Sequence, residues 1–116
     1  MAEPRIEPRR KGPNATQTML LPAIDMVAEA IAAVPPGTVA DLAHVRTTLA
    51  AQYGADACCP VTVQRHVRTL AEEAAANPAN AVPYWRVIDP DRPTAGRLAG
   101  GVEAIRARRS AEQAVR

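Results

Sequence analysis

Scarcity of aromatic residues is the feature that most limits what this chain can fold into. Its 116 residues include one Trp, two Tyr and no Phe, whereas 25 residues are alanines. Alanine favours helices, but each buried alanine removes little apolar area from water. A chain of this length has room for one modest core. The sequence therefore predicts a small, mainly α domain packed through small contacts, rather than an enzyme built around a large pocket.

Two of the three aromatic residues stand side by side, between a proline and an arginine. Tyr84 and Trp85 follow Pro83 and precede Arg86. An aromatic pair in such a setting is suited to stacking on a flat ligand such as a nucleobase. The alternative is that Trp85 fills the core, since a lone tryptophan is usually well buried. The sequence leaves both interpretations open.

Positive charge collects at the two ends of the chain, although the formal net charge is only +2. Residues 1–13 carry four basic and two acidic groups, and residues 86–116 carry seven and four. The middle of the chain has more acidic than basic groups. This asymmetry favours phosphate contact by one face of the protein, and solvated basic tails are the alternative.

The sequence predicts a cytoplasmic protein without a membrane span, metal or cofactor. It has no apolar run of membrane-spanning length and no pattern of a signal peptide. Cys58 and Cys59 are adjacent and are expected to be free thiols in a reducing compartment. His44 and His66 stand alone, at a spacing that does not suit zinc.

Four helices are predicted within residues 18–114. Residues 1–17 hold three prolines and no apolar periodicity, and they are predicted to form a disordered basic arm. Residues 84–88 are predicted to be extended and residues 89–101 to form a loop. Proline, capping and glycine signals place the helices from Pro22 to Pro35, from Thr38 to Gly54, from Pro60 to Asn77 and over 102–114.

The second and third predicted helices have the outline of a helix-turn-helix. A short turn joins them, and the third helix carries basic and amide side chains near its N-terminal end. The expected fold is therefore mainly α, a winged helix-turn-helix-like domain of about four helices with a short extended segment. The third helix would contact DNA through Thr62, Gln64, Arg65 and Arg68.

The ordered motifs of residues 18–114 resemble the DNA-binding domain of O6-alkylguanine-DNA alkyltransferases. The motifs are Pro35-Pro36-Gly37, the helix-turn-helix, Asn77-Pro78, Pro83 to Ile88, Gly100-Gly101 and the final helix. The family signature is Pro-Cys-His-Arg-Val, and its cysteine accepts the alkyl group. Here Tyr84 stands at the cysteine position and Trp85 at the histidine position. The chain therefore resembles the alkyltransferase-like branch, whose members bind alkylated guanine without repairing it.

The resemblance also implies roles for individual residues. Arg65 matches the arginine that fills the base stack when a nucleotide is extruded, and a solvated helix-face arginine is the alternative. Leu42 stands where the family has a tyrosine that helps rotate the nucleotide. A lesion pocket is expected from Asn77, Pro83, Tyr84, Trp85, Arg86 and Glu112. Further DNA contacts are expected from Arg97, Gly100, Gly101, Arg106, Arg108 and Arg109.

Alkyl transfer through Tyr84 is not expected. A phenol with a pKa of about 10 does not replace a thiolate as a nucleophile towards an alkyl carbon. Trp85 has no basic nitrogen that would serve as general base. The predicted protein is therefore not an enzyme.

Three functions remain open from the sequence. The first is a monomeric, non-catalytic protein that binds double-stranded DNA, recognises alkylated or extruded guanine and hands it to a repair-pathway protein. The second is an alkyltransferase that uses Cys58 or Cys59 as a relocated acceptor. The third is a helix-turn-helix module for transcription control or protein interaction.

Overall fold

The computed structural model describes residues 5–10 and 16–114, and the fold there is mainly helical, as predicted. The helices are α1 (Ile24–Ala32), α2 (Leu42–Gln52), α3 (Pro60–Ala76), α4 (Pro93–Gly96) and α5 (Gly101–Ala114). The strands are β1 (Arg5–Arg10), β2 (Thr16–Leu21) and β3 (Ala57–Cys58). No helix in the described part of the chain is long and apolar enough to cross a membrane.

Local signals placed both ends of α3 well and missed the starts of α1 and α2. Pro60 begins α3 and Ala76 ends it, one residue before Asn77. The prediction that Thr38 caps α2 is wrong, because the side chain of Asp41 accepts the hydrogen bond from the His44 N–H at 2.9 Å. Pro22 lies outside α1, since the N-cap residue Ala23 still has extended backbone angles.

Part of the predicted disordered arm is paired in a sheet. The strand order is β1-β2-β3, with β1 antiparallel to β2 and β2 parallel to β3. Residues 5–10 form β1, and residues 16 and 17 belong to β2. The prediction of disorder is therefore wrong for these residues. Pairing satisfies the backbone groups of β1 that face β2, and a rule based on composition alone does not reveal such a partner. Residues 1–4 and 11–15 of the predicted arm lie outside the described residues.

The segment around the aromatic pair is a tight turn and not an extended strand. Residues Tyr84–Arg86 form one turn of 3₁₀ helix. The Arg86 N–H donates to the Pro83 carbonyl at 3.1 Å, and the Val87 N–H donates to the Tyr84 carbonyl at 3.2 Å. Proline fixes its own φ and often opens a turn, which here outweighs the strand preference of the aromatic residues.

The winged arrangement remains a prediction. The three strands all come before α3 in the chain, and residues 77–114 contain helices and turns but no strand. The core is entirely apolar among the described residues. Its largest fully buried side chains come from β2, all long helices and the segment after the aromatic turn: Leu20, Val27, Ile31, Val45, Leu49, Val63, Val67, Val87 and Ile105.

Candidate nucleic-acid interface

Tyr84 and Trp85 are core residues in this structure. Their exposed fractions are 4% and 6%. The two rings pack edge to face, with centroids 5.5 Å apart and planes at 76°. The guanidinium of Arg108 lies 4.8 Å from the centroid of the Trp85 ring. The rings are thus packed against each other and against Arg108, rather than presented to a base from solvent.

Burial also governs the chemistry of Tyr84. Desolvation raises the pKa of its phenol above 10, despite the opposing charge of Arg108. At neutral pH the phenol therefore stays protonated, which makes it a poor nucleophile.

Glu112 joins Trp85 and Arg86 in one partly buried cluster. Arg86 donates to Glu112 Oε2 from Nε at 2.9 Å and from Nη2 at 2.7 Å. Trp85 Nε1 donates to the same oxygen at 2.9 Å, and the Gly37 N–H donates to Glu112 Oε1 at 3.3 Å. Burial acts to raise the pKa of Glu112, but these hydrogen bonds from Arg86, Trp85 and Gly37 outweigh it and lower that pKa.

The same cluster clamps the connection between α1 and α2. Arg86 Nη1 donates to the Val34 carbonyl at 2.8 Å, and Gln113 Nε2 donates to the Gly37 carbonyl at 3.2 Å. Gly37 has a φ of +80°, a value that side chains other than glycine's rarely tolerate. The predicted pocket residues Trp85, Arg86 and Glu112 are therefore brought together as an internal brace.

Of the three remaining predicted pocket residues, Tyr84 packs on the Trp85 ring, and Pro83 and Asn77 are not among the residues that bond to Glu112. Pro83 is half-buried and opens the aromatic turn. Asn77 is exposed at the C-terminal end of α3, where its N–H donates to the Glu73 carbonyl at 2.8 Å.

The arginines of α5 are engaged within the protein. Arg109 Nε donates to the Trp85 carbonyl at 2.7 Å, and its Nη2 donates to the Ile88 carbonyl. Arg108 lies on the Trp85 ring. Arg106 Nη2 lies 3.0 Å from Asp91 Oδ1, in an ion pair that is largely exposed to solvent. These three predicted phosphate contacts thus already have internal partners.

The arginines of α3 face solvent instead. Gln64, Arg65 and Arg68 are exposed and share a cleft with Arg97, which is also exposed. We call this the α3 cleft; its volume is about 300 Å³, and it is lined by Val61, Gln64, Arg65, Arg68, Thr94, Arg97 and Leu98. Thr62 is half-buried in the first turn of α3.

A second cleft of about 350 Å³ shares Gln64 and Thr94 with the α3 cleft. Its wall includes Arg46 from α2 and Arg92 from the segment before α4. Sequence reasoning missed both arginines, although a basic residue on the first helix of a helix-turn-helix is a usable signal for backbone contact.

The two predicted glycine contacts have a backbone role at the start of α5. Gly100 and Gly101 have φ values of +82° and +62°. A Cβ on Gly100 would lie 2.7 Å from the Cβ of Ala104. The turn into α5 therefore requires glycine at position 100 for conformational and steric reasons.

A larger cleft of about 700 Å³ lies where α1 ends and α2 begins. Small apolar side chains make up much of its wall, and its carboxylates are those of Asp41 and Asp89. Its arginine, Arg109, is already bonded to two carbonyls. Size alone therefore does not make this cleft suited to phosphate.

The two cysteines differ in their electrostatic setting, and both are free. Burial, with the neighbouring Cys59, raises the pKa of the Cys58 thiol to about 11. Cys59 is half-buried at the N-cap of α3. Burial acts to raise its pKa too, but hydrogen bonds from Thr62 and Val61 and the charge of Arg65 produce a net lowering. Of the two, Cys59 is the better thiolate.

Comparisons of the chain with protein-family models, with curated proteins and with solved structures give no match in any of the three. What the protein does is therefore inferred from the exposed basic face of α3 and the buried state of the aromatic pair.

Proposed function

We propose that this chain is a non-catalytic DNA-binding protein that contacts duplex DNA with α3 and the α3 cleft. One observation carries the proposal: Gln64, Arg65 and Arg68 are exposed beside Arg97, which lies across the same cleft. Guanidinium and amide groups are the side-chain groups that most often contact phosphates and base edges. An α-helix also fits the major groove, which is about 12 Å wide.

The side chains have different tasks in this proposal. Arg65 is exposed on α3 and would reach base edges or fill a gap in the stack. Arg68 and Arg97 line the same cleft and would hold phosphates. Neutralising phosphates supplies most of the affinity of such contacts and makes that affinity depend on salt.

Recognition of O6-alkylguanine rests on the resemblance to the alkyltransferase-like branch. Because Tyr84 and Trp85 are buried, an extruded guanine would enter the α3 cleft, between Arg65 and Leu98, rather than stack on the two rings. Extrusion costs a few kcal/mol, and less where a lesion already weakens pairing. Alkylated positions would therefore be favoured over normal guanine.

The test is binding to two short duplexes that differ only in one O6-methylguanine, over a range of salt. The double variant Arg65→Ala/Arg68→Ala is expected to weaken binding to both duplexes. Its salt slope should be smaller by about 1 for each phosphate that the variant no longer neutralises. Arg106→Ala removes an exposed arginine of α5 and serves as the matched control, with little expected change.

Each outcome separates the proposals. Tighter binding to the lesion at an unchanged salt slope supports lesion recognition, whereas equal binding keeps DNA binding and rejects lesion recognition. Absence of binding rejects DNA binding altogether and favours a protein-interaction module.

Alkyl transfer to Cys59 is the second candidate, favoured by the lowered pKa of this half-buried thiol. The thiolate would attack the alkyl carbon, form a C–S bond and break the bond between carbon and O6, and the released guanine would take up a proton. Incubation with alkylated DNA followed by mass spectrometry decides the matter. The leading proposal requires an unmodified mass, whereas one alkyl adduct that disappears in Cys59→Ser would establish the transfer.

A further inference from the structure

The cleft of about 700 Å³ between α1 and α2 has no part in the proposed function. We call it the α1–α2 cleft. It is bounded by the end of α1, the connection of residues 33–41, the first two turns of α2, and the side chains of Asp89 and Arg109. It shares no lining residue with the α3 cleft. A concave volume walled by several elements is typical of small-molecule sites, which span roughly 300–1,000 Å³.

Much of the wall of the α1–α2 cleft is apolar, and part of that apolar surface is in contact with solvent. Val34 is buried, Ala30 and Ala40 are half-buried, and Val39 is 61% exposed. A ligand with an apolar body would remove this surface from water, which favours binding. The wall therefore suits an apolar body rather than a wholly polar ligand.

The internal brace around Arg86 fixes this wall in place. The Ala40 N–H donates to the Arg86 carbonyl at 2.8 Å, and Arg86 Nη1 donates to the Val34 carbonyl at 2.8 Å. Gln113 Nε2 donates to the Gly37 carbonyl at 3.2 Å. A wall held at three positions loses little conformational freedom when a ligand binds, so the cleft is preorganised.

The charged groups of the α1–α2 cleft favour a cation. Asp41 and Asp89 contribute two carboxylates, and Arg109 contributes one guanidinium, which already donates to two backbone carbonyls. Two carboxylates against one guanidinium leave one net negative charge, with His44 counted as neutral. A ligand with a single positive charge would balance it.

Each carboxylate has one oxygen in a backbone bond and a second oxygen outside that bond. Asp41 Oδ1 accepts from the His44 N–H at 2.9 Å, and Asp89 Oδ1 accepts from the Asp91 N–H at 2.9 Å. Asp89 Oδ2 lies 3.9 Å from Arg92 Nε, in an exposed ion pair of the kind that contributes little. Carboxylate oxygens are strong acceptors for an ammonium or guanidinium group.

We propose that the α1–α2 cleft binds a small organic cation, with one ammonium or guanidinium group on an apolar body. The cationic group lies at Asp41 and Asp89, and the apolar body lies against Val39 and the alanines of the wall. This binding goes beyond the proposed function and does not require DNA, because the α1–α2 cleft and the α3 cleft have separate linings.

The test is an NMR titration of the isotope-labelled full chain with three probes of similar shape: phenethylamine, phenethyl alcohol and phenylacetate. The amine is expected to bind about tenfold more tightly than the alcohol, because a charge-assisted hydrogen bond replaces a neutral one. The carboxylate is expected to bind most weakly. Shifts of backbone N–H signals should be largest at the cleft, at Val39, Ala40 and His44.

The charge of the site is tested by Asp41→Asn/Asp89→Asn. Asparagine keeps an oxygen for each backbone N–H and caps helices about as well as aspartate, so the fold is expected to be retained. This variant should bind the amine about tenfold more weakly and the alcohol as wild type does. The matched control is Asp25→Asn/Asp56→Asn, which removes two carboxylates that accept from backbone N–H groups outside the cleft. No change is expected from it.

The apolar wall is tested by Val39→Ser, which is expected to weaken binding of both the amine and the alcohol by about threefold. Val61→Ser is the matched control, since Val61 is 60% exposed but lines the α3 cleft. It should leave the binding of both probes unchanged.

A preference for the amine that both cleft variants reduce supports the proposal. Equal binding of the three probes, shifts centred outside the cleft, or absence of amine binding would overturn it and leave the proposed DNA binding untouched. Val39 is exposed, so Val39→Ser decides the case if the asparagine double variant unfolds. Wild-type affinity of Val39→Ser for the amine would overturn the proposal.

Discussion

Helix α3 carries two arginines and helix α5 carries three, and the two helices use them in opposite ways. Arg109 of α5 donates to the carbonyls of Trp85 and Ile88, and Arg108 covers the Trp85 ring. Arg65 and Arg68 of α3 are exposed along an open cleft. A count of basic residues treats the two helices alike. The difference shows that a basic helix face is a candidate interface only when its charged groups are not engaged in bonds to other parts of the protein.

The physical reason lies in what each helix packs against. The turn of residues 84–88 brings backbone carbonyls beneath α5, and a buried carbonyl without a donor costs about 1–3 kcal/mol. Arg109 supplies those donors, so its charge contributes to stability. Along the outer side of α3 the neighbours of Arg65 are solvent and the cleft, so the fold gains little from that guanidinium.

The largest effect on stability that tests this contrast is expected from Trp85→Ala. Removing the buried ring is expected to cost about 3–5 kcal/mol of unfolding free energy, as truncation of core aromatics does. Arg65→Ala should change that free energy by no more than about 0.5 kcal/mol, because its side chain is exposed on the surface of α3. Chemical denaturation of both variants measures the difference. Equal stability of the two would show that the turn beneath α5 is not a core element.

An intermediate effect is expected from Glu112→Gln, at about 2 kcal/mol, because charge-assisted hydrogen bonds from Arg86 and Trp85 are weakened. The pKa of Glu112 is lowered in the folded state. Its contribution is therefore fully present above the unfolded pKa of about 4.3 and is lost as pH falls through the lower folded pKa. Unfolding followed from pH 7 to pH 2 should show the variant losing less stability below pH 4.3 than wild type. If the unfolding free energies of the variant and of wild type change with pH in parallel, the pairing of Glu112 with Arg86 is contradicted.

The smallest effect compares two arginines of the same helix. Arg109→Met is expected to destabilise the protein by about 1–2 kcal/mol, since two carbonyls lose their donor. Arg106→Met should stay within about 0.5 kcal/mol, because its ion pair with Asp91 is largely exposed. Thermal unfolding of the two variants at one pH provides the measurement. A larger loss of stability in Arg106→Met than in Arg109→Met would reverse the assignment of roles within α5.

Much of the helical framework was predictable because its signals are local. Pro60 fits the first turn of a helix, and Val63, Val67, Leu70 and Ala74 recur at helical spacing, so α3 was located from end to end. The final helix was placed within one residue of its start at Gly101. The approach of Arg86, Trp85 and Glu112 was also expected from the resemblance, although as a lesion pocket rather than as a brace.

The rest was not predictable because it depends on partners far away in the chain. Strand β1 exists through pairing with β2, and no pattern within residues 5–10 reveals that partner. The aromatic pair carries the same letters whether it stacks on a ligand or fills a core. Its burial became evident only once Arg108 and Glu112 of α5 were seen against it.

By itself, the sequence determined a small, mainly helical domain, the helix boundaries set by Pro60 and the glycines, and an excess of basic groups near both ends. Only the tertiary structure decided which arginines remain exposed, that Trp85 lies in the core, and that residues 5–10 pair with β2. Helical periodicity and turn preferences act over a few residues, so they can be read from short stretches of the sequence. Exposure and pairing depend on contacts between residues far apart in the chain, and those contacts exist only in the folded protein.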